Sequence, residues 1–430
     1  MKGTEDMNAT PTVLISGASA AGLAAAHWLR RRGYAPTVVE RAPGLRPGGH
    51  AIDVRGVALD VLDRMDLLGP AEELRTRMRG MTMFDAAGQE LWRSHEKAFS
   101  SGRLDSADIE VLREDLNRLL YERTQGEVEY LFQDSLVALD EGPHGVTARF
   151  ERAADRRFDL VVGADGLHSK VRQLAFGPER EFLRPTGAHL AVFSTDNFLH
   201  LEDWQHWLQD ETGSYCVYPV RGNTELRATL GFVGGPVDCD HHAVEQQKAL
   251  VTAQLSHLGG DTPRLLRAMW SAPDFYFDSM AQVHMDRWST GRIALIGDAG
   301  YCPSPLSGQG TSLALVGAYV LADELGKAAG DHRTAFAAYE RRMRPYVALN
   351  QALATENAGG MAPEESTTRA KNALVLDEDA GAGAAADAGA AAAGDGDADG
   401  GAGGCVAGSA TARAARPAHA HAGPAAPVGA

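Results

Sequence analysis

The spacing of apolar residues changes character several times along the chain. Thr12-Val-Leu-Ile-Ser16 is a short, apolar, β-branched run, the pattern of a strand buried on both faces. Gly17 to Gly22 turns the chain, and residues 21–32 then read as a helix, Ala-rich where it must lie close to a sheet. Gly33 is the stop signal, and Arg30-Arg31-Arg32 suits the negative end of the helix dipole. Thr37-Val-Val-Glu40 is the next strand, which completes a compact βαβ unit. Residues 107–123 predict a helix with Leu112, Leu116, Leu119 and Leu120 on one face, and Phe158-Asp-Leu-Val-Val-Gly163 predicts another buried strand.

The period shifts towards two between residues 180 and 285. Ser214 to Val233 reads as a hairpin turning at Arg221-Gly-Asn-Thr, and Leu226, Ala228, Leu230 and Phe232 alternate with Arg227 and Thr229. Such alternation predicts a sheet with one face open to solvent or a ligand. The expected architecture is α/β: a Rossmann-like dinucleotide-binding domain, first part 10–178, and a mixed or antiparallel substrate-binding sheet domain, 179–286. The chain then returns to the first domain and C-terminal helices over 287–350, the helices at 310–329 and 331–350. From 378 to 430 the composition collapses to Ala, Gly and Asp without periodicity, so this tail is expected to be disordered.

Composition narrows the function classes. The 430 residues suffice for two or three domains. Lys plus Arg number 41 and Asp plus Glu 57, a net charge of −16, which argues against a nucleic-acid surface. No run of about 18 apolar residues predicts a membrane helix, and Met1-Lys-Gly-Thr-Glu-Asp-Met lacks the apolar stretch of a signal peptide. Four cysteines make no disulfide framework, so a cytoplasmic protein, monomer or homodimer, is expected. Cys239-Asp-His241-His242 has no second pair at ligand spacing, so no metal is expected.

Three separated segments carry candidate chemistry. Gly17-Ala-Ser-Ala-Ala-Gly22 follows G-x-G-x-x-G with Ser19 in the second glycine's place. Gly17 allows the tight turn, Gly22 allows close helix–strand packing, and the N–H groups around Ala20 and Ala21 face a pyrophosphate. Glu40 ends the next strand, where a carboxylate accepts ribose hydroxyls. Asp165-Gly166 follows the middle strand. Gly297-Asp298 ends the late one, before Pro303, Pro305, Gly308-Gln-Gly310 and a helix opening at Thr311. A carboxylate at the C-terminal end of a parallel strand sits where ligands bind in such sheets. The three together point to FAD and to redox chemistry.

With these motifs in order, residues 12–350 resemble the class A FAD-dependent monooxygenases, the para-hydroxybenzoate hydroxylase-like family. The resemblance is nearest to actinobacterial polyketide hydroxylases and tetracycline-inactivating monooxygenases. It implies that Gly17, Ser19, Ala20, Ala21, Gly22, Glu40 and Arg41 hold the ADP half of FAD. In Arg46-Pro-Gly-Gly-His-Ala-Ile-Asp53, which resembles the family's segment beside the mobile flavin, Arg46 would meet flavin or NADPH and Asp53 would meet FAD, and Arg113 would touch FAD. Asp165 and Gly166 would serve FAD and NADPH (or NADH). Asp298 would meet the ribityl or pyrophosphate region, and Pro305, Gly308, Gly310, Thr311 and Ser312 would line the isoalloxazine. The implied reaction uses NAD(P)H and O2, passing one oxygen from a flavin C4a-hydroperoxide to an aromatic or polyketide-type small molecule, with no general base assigned. Phe193, Tyr215, Tyr218 and Phe232 are candidates to line the substrate. Tyr301 and Ser304 depart from the family pattern, which commonly has histidine and proline there. The alternatives are an antibiotic-inactivating enzyme, a flavin-dependent halogenase, whose Trp-x-Trp-x-Ile-Pro segment is missing, and a catalytically dead flavin-binding protein.

Overall fold

The computed structural model describes residues 10–99, 102–235, 237, 243–356 and 362–377. The Cys239–His242 cluster and the 378–430 tail lie outside these.

The first sheet has six strands, in the order Ser289–Thr290, Ile293–Leu295, Leu160–Gly163, Thr12–Ser16, Ala35–Glu40 and Glu129–Phe132. All run parallel except the Ser289–Thr290 edge. The continuous apolar runs of its strands follow from cover on both sides. Val13, Ile15 and Val162 pack under the helices Ala20–Arg31 and Gly310–Lys327, against Leu23, Leu29, Leu313 and Val316. Leu14, Val39 and Val161 pack on the other side against Leu136, Val146 and Phe158 of a small three-stranded antiparallel sheet. Gly33, at φ +84, ends the first helix, and the Tyr34 N–H returns to the Leu29 carbonyl at 3.0 Å. The pairing sets Ser16 beside Gly163 and Gly163 beside Leu295, so all three fingerprint segments leave the sheet at one edge.

The second sheet has seven strands, ordered Tyr276–Val283, Leu183–Asp196, Glu225–Val233, Gly213–Val220, Gln205–Gln209, Met81–Phe84 and Glu90–Ser94. It is antiparallel except where Gln205–Gln209 runs alongside Met81–Phe84. The last two strands come from within the 10–178 span, a long-range pairing that no local pattern announced. The 214–233 hairpin turns where expected, with Arg221, Gly222 and Asn223 all at positive φ.

The expected 107–123 helix divides. Ile109–Leu112 is a strand paired antiparallel with Ala51–Val54, and the helix covers only Arg113–Glu122. The β-branched pair in Ile109-Glu-Val-Leu112 favours the strand, and Leu112 joins the core as a strand residue. The late helices are Gly310–Lys327 and His332–Glu356. Among the described residues no helix is long and apolar enough to cross a membrane.

Candidate functional site

The first loop is shaped by its glycines. Gly17 has φ +106, and a Cβ there would stand 2.5 Å from the Ala164 carbonyl oxygen. A Cβ on Gly22 would stand 1.9 Å from the Gly17 oxygen. Strand end, loop and helix therefore touch backbone to backbone. Ser19 caps the helix in extended conformation without a side-chain cap bond; its Oγ instead accepts from Asn117 Nδ2 at 3.4 Å. No acidic side chain occupies the first turn, so the N–H groups at Ala20, Ala21 and Gly22 remain available to an anion. The Glu40 carboxylate accepts from the backbone N–H of Ala18 at 2.9 Å and of Ala42 at 2.9 Å, which sets it over the loop; Arg41 beside it is exposed.

Asp165 has a second role that its position alone did not suggest. Its carboxylate accepts from the N–H groups of Lys170 (2.9 Å) and Val171 (3.0 Å), from Ser16 Oγ (3.2 Å) and from Ser169 Oγ. Burial pushes its pKa up, and these bonds oppose the rise. Asp165 thus ties the middle loop to the first strand and caps the Lys170–Ala175 helix. Gly166, at φ +83, follows with open space around its Cα. Sequence reasoning missed His168. It bridges Asp278 (3.3 Å) on the second sheet and Glu179 (3.0 Å), and those hydrogen bonds raise its pKa to about 9 against burial.

Gly297, at φ +59, brings its strand end within 3.0 Å of the Ala21 methyl for an added Cβ. Asp298 follows at the opening of a single helical turn, and its Oδ1 faces Gly310, which starts the 18-residue helix. Burial raises the Asp298 pKa, opposed by a hydrogen bond with Cys302. Pro305 is exposed, while Gly308, Gly310 and Thr311 are half-buried, so this turn forms a rim rather than core. Ser304 sits at φ +74, a conformation closed to proline. Gln309, fully buried between the glycines, has neither amide oxygen nor amide nitrogen paired.

The Arg46–Asp53 segment reaches the same turn. Asp53 pairs with Arg55 at 2.8 Å, and the Arg55 N–H donates to Ser312 Oγ at 3.0 Å. Burial raises the Asp53 pKa to about 7; Arg55 opposes the rise, and Glu110 and Asp108 add to it. Arg46 is exposed. Arg113 starts its helix with Nη2 3.4 Å from the Gly48 oxygen and with Nε buried and unpaired. Its pKa is lowered by burial and by Arg46.

Tyr301 does not face this groove. It is fully buried in the helical layer, its ring 4.7 Å from that of Trp288 and its hydroxyl 3.0 Å from that of Tyr339.

The substrate-lining expectation needs correction. Phe193, Tyr215 and Phe232 pack on the far side of the second sheet, in the core with Val251, Leu255, Leu265 and Met269 of two covering helices. Alternation gives a period of two, and the helices of residues 244–271 decide which half is core. Tyr218 lies on the opposite face, its hydroxyl accepting from the Ala51 N–H at 2.8 Å. Strand register places Met83, Trp207, Cys216, Thr229, Val192 and Tyr276 in one row on that opposite face. Phe99 stacks on Trp207 at 3.6 Å. Arg227, expected on an open face, is instead buried.

A glycine cradle at the sheet edge, an uncapped helix N-terminus and a carboxylate at each neighbouring strand end fit an extended dinucleotide. Comparison with known families matches residues 10–352 to the FAD binding domain. A protein of Mycobacterium tuberculosis is 53% identical over 369 residues, covering 85% of this chain and 99% of its own. A flavin-dependent monooxygenase from an unknown prokaryotic organism is 38% identical over 345 residues, covering 80% of this chain and 88% of its own. Among solved structures, the tetracycline destructase Tet(55) superposes with a TM-score of 0.77 at 34% identity, covering 86% of this chain and 99% of its own.

Proposed function

The chain belongs to the FAD binding domain family of flavin-dependent monooxygenases, and from that premise we propose that it uses NAD(P)H and O2 to oxygenate an aromatic, polyketide-type small molecule. The observation that carries this reading is the convergence of Gly17–Gly22, Asp165-Gly166 and Asp298 on one sheet edge, beside a second sheet that carries the partly exposed Trp207, Thr229 and Tyr276 on one face. The bound flavin supplies the oxygen activation. The protein's own share is binding, orientation and exclusion of water. The Gly17–Gly22 loop would hold the pyrophosphate, and Glu40, already fixed by two backbone N–H groups, would accept ribose hydroxyls. Asp298 and the Gly308–Ser312 turn would take the ribityl and ring portions, with the positive end of the Gly310–Lys327 helix favouring negative charge on the reduced ring. Trp207, Thr229 and Tyr276 would form the substrate floor.

Antibiotic inactivation is the more specific form of this reading, supported by the similarity to Tet(55) along nearly its whole length. The test is to follow NADPH and NADH oxidation under air by FAD-loaded protein, with tetracyclines and with anthracycline- and angucycline-type aromatics. The expected result is consumption that rises with one compound class and a product heavier by one oxygen atom. Protein that cannot take up FAD, or nucleotide consumption that no compound alters, would refute the reading.

A further inference from the structure

Between Arg46 and Asp53 the chain crosses from the cofactor side to the second sheet, and its middle is gripped by groups that the proposed function leaves unused. Gly48 (φ +70) and Gly49 (φ +100) stand in left-handed conformations. The Gly48 N–H donates to Glu114 Oε2 at 2.6 Å, and the Gly48 oxygen accepts from Arg113 Nη2 at 3.4 Å. The Gly49 oxygen accepts from Arg227 Nε at 3.0 Å. Glu114 Oε1 accepts from Arg227 Nη2 at 2.9 Å and from Arg221 Nη2 at 2.5 Å. The space is closed as well. A Cβ at Gly48 would lie 2.5 Å from Asp274 Oδ2, and one at Gly49 would lie 2.8 Å from Arg113 Nε.

These groups come from both sides. Arg113 and Glu114 open a helix packed on the first region, whereas Arg227 and Arg221 belong to the hairpin of the second sheet. Arg227 is only 2% exposed, and a charge that deep persists only when it is paired and hydrogen-bonded. Here its partners are the Glu225 carboxylate on its own strand, a strap carbonyl, and the carboxylate that holds the strap's own N–H. Arg227 and Thr229 also share the face of the sheet assigned to the substrate, two residues apart on one strand, which makes them neighbours on that face. The Glu114 carboxyl stays ionised, because the Gly48 N–H, Arg221 and Arg227 together outweigh its burial and hold its pKa below the usual range.

We propose that Arg227 and Glu114 are positioning residues that latch the Gly48–Gly49 strap to the second sheet, so that a substrate on the sheet face sets the placement of Arg46 and Asp53 beside the flavin. The latch itself stands on the geometry above, and its consequence for turnover rests on the proposed monooxygenase reading.

The test is amide hydrogen exchange by mass spectrometry on full-length, FAD-loaded protein, comparing the parent with Arg227→Lys, Glu114→Gln and the pair combined. Amides of residues 48–51 are expected to exchange about tenfold faster in each single variant and no faster still in the double variant than in the singles, with peptides from Gly310–Lys327 unchanged. Should the buried variants not fold, Arg221→Ala at the half-exposed hairpin turn removes one partner of Glu114 and is expected to quicken the same amides about threefold. Unchanged exchange over 48–51, or additive effects in the double variant, would overturn the latch. In turnover, the singles are expected to raise the fraction of NAD(P)H consumption ending as hydrogen peroxide at least threefold, while kcat for nucleotide oxidation changes less than that. A parent that oxidises no nucleotide refutes the proposed function and leaves the exchange result to decide the latch. A working parent whose strap exchange is untouched by the substitutions refutes the latch alone.

Discussion

The two large sheets present their chemistry in opposite ways. In the parallel sheet the groups proposed to face a ligand lie where strands end, and most are backbone: the Gly17–Gly22 loop, the Gly297 turn and the N-termini of two helices. In the seven-stranded sheet they lie mid-strand and are side chains on one face, Trp207, Thr229 and Tyr276 among them. A backbone site leaves glycines at fixed intervals. A side-chain face leaves only an alternation, shared equally by the face turned to the core.

That contrast can be broken most sharply at Gly17. Gly17→Ala drives a methyl to 2.5 Å from the Ala164 oxygen at a φ that costs any other residue, and it is expected to reduce FAD affinity at least about a hundredfold in a fluorescence titration. The matched change on the second sheet is Gly231→Ala, where the added methyl meets Ser214 Oγ at 3.0 Å and the His189 oxygen at an ordinary 3.7 Å. FAD affinity there is expected to stay within about threefold of the parent. Equal losses at both positions would mean that the cofactor does not depend specifically on the first loop.

The next effect tests the corrected side of the second sheet. Phe193 is fully buried against the covering helices, so Phe193→Ala is expected to lower unfolding free energy by about 3–5 kcal/mol in urea titration without altering which compounds stimulate nucleotide oxidation. Trp207→Leu, on the other face, is expected to show the reverse, a small stability change and an altered compound profile. A Phe193 variant that folds normally but changes compound preference would restore the original assignment.

These residues show why the glycine turns at the strand ends were legible and the facing of the second sheet was not. Gly17, Gly22 and Gly297 answer to local backbone geometry, and the apolar strands before them are recognisable in short windows, so their edge could be read directly. Phe193, Tyr215 and Phe232 alternate as a ligand-lining face would, but the Val244–Leu255 and Thr262–Ser271 helices claim that side, and this cover is a tertiary fact. The same cause hid Met81–Phe84, whose sheet partner lies more than a hundred residues away, and Arg227, whose charge is matched by Glu114 from another element. Asp165 was noticed for its position, yet its four acceptor bonds depend on a helix cap that only the fold supplies.

Tyr301 gives a smaller effect within the first region. Tyr301→Phe removes a hydroxyl that meets Tyr339 inside the helical layer, so it is expected to cost about 1 kcal/mol of stability and to leave the bound-flavin absorption spectrum unchanged. A shifted flavin spectrum would place this side chain back in the cofactor's surroundings and blur the division between core and strand-end site.

The smallest expected effect lies where the two regions meet. His168, just beyond the Asp165-Gly166 loop, bridges to Asp278 on the second sheet and to Glu179. Its pKa rises from 6.5 to about 9 in the folded protein, so its contribution to stability is fully present below pH 6.5 and is lost as pH climbs through about 9. The side chain is 37% exposed, and screening by water holds the contribution to about 1 kcal/mol or less. His168→Gln is therefore expected to lower the melting temperature by a few degrees at most near pH 6 and by nothing measurable above about pH 9.5. A melting difference that stays constant across this range would show that His168 joins the two regions by packing alone. The expected convergence would identify the His168 bridge to Asp278 and Glu179 as a charged contact between the two regions that weakens with rising pH.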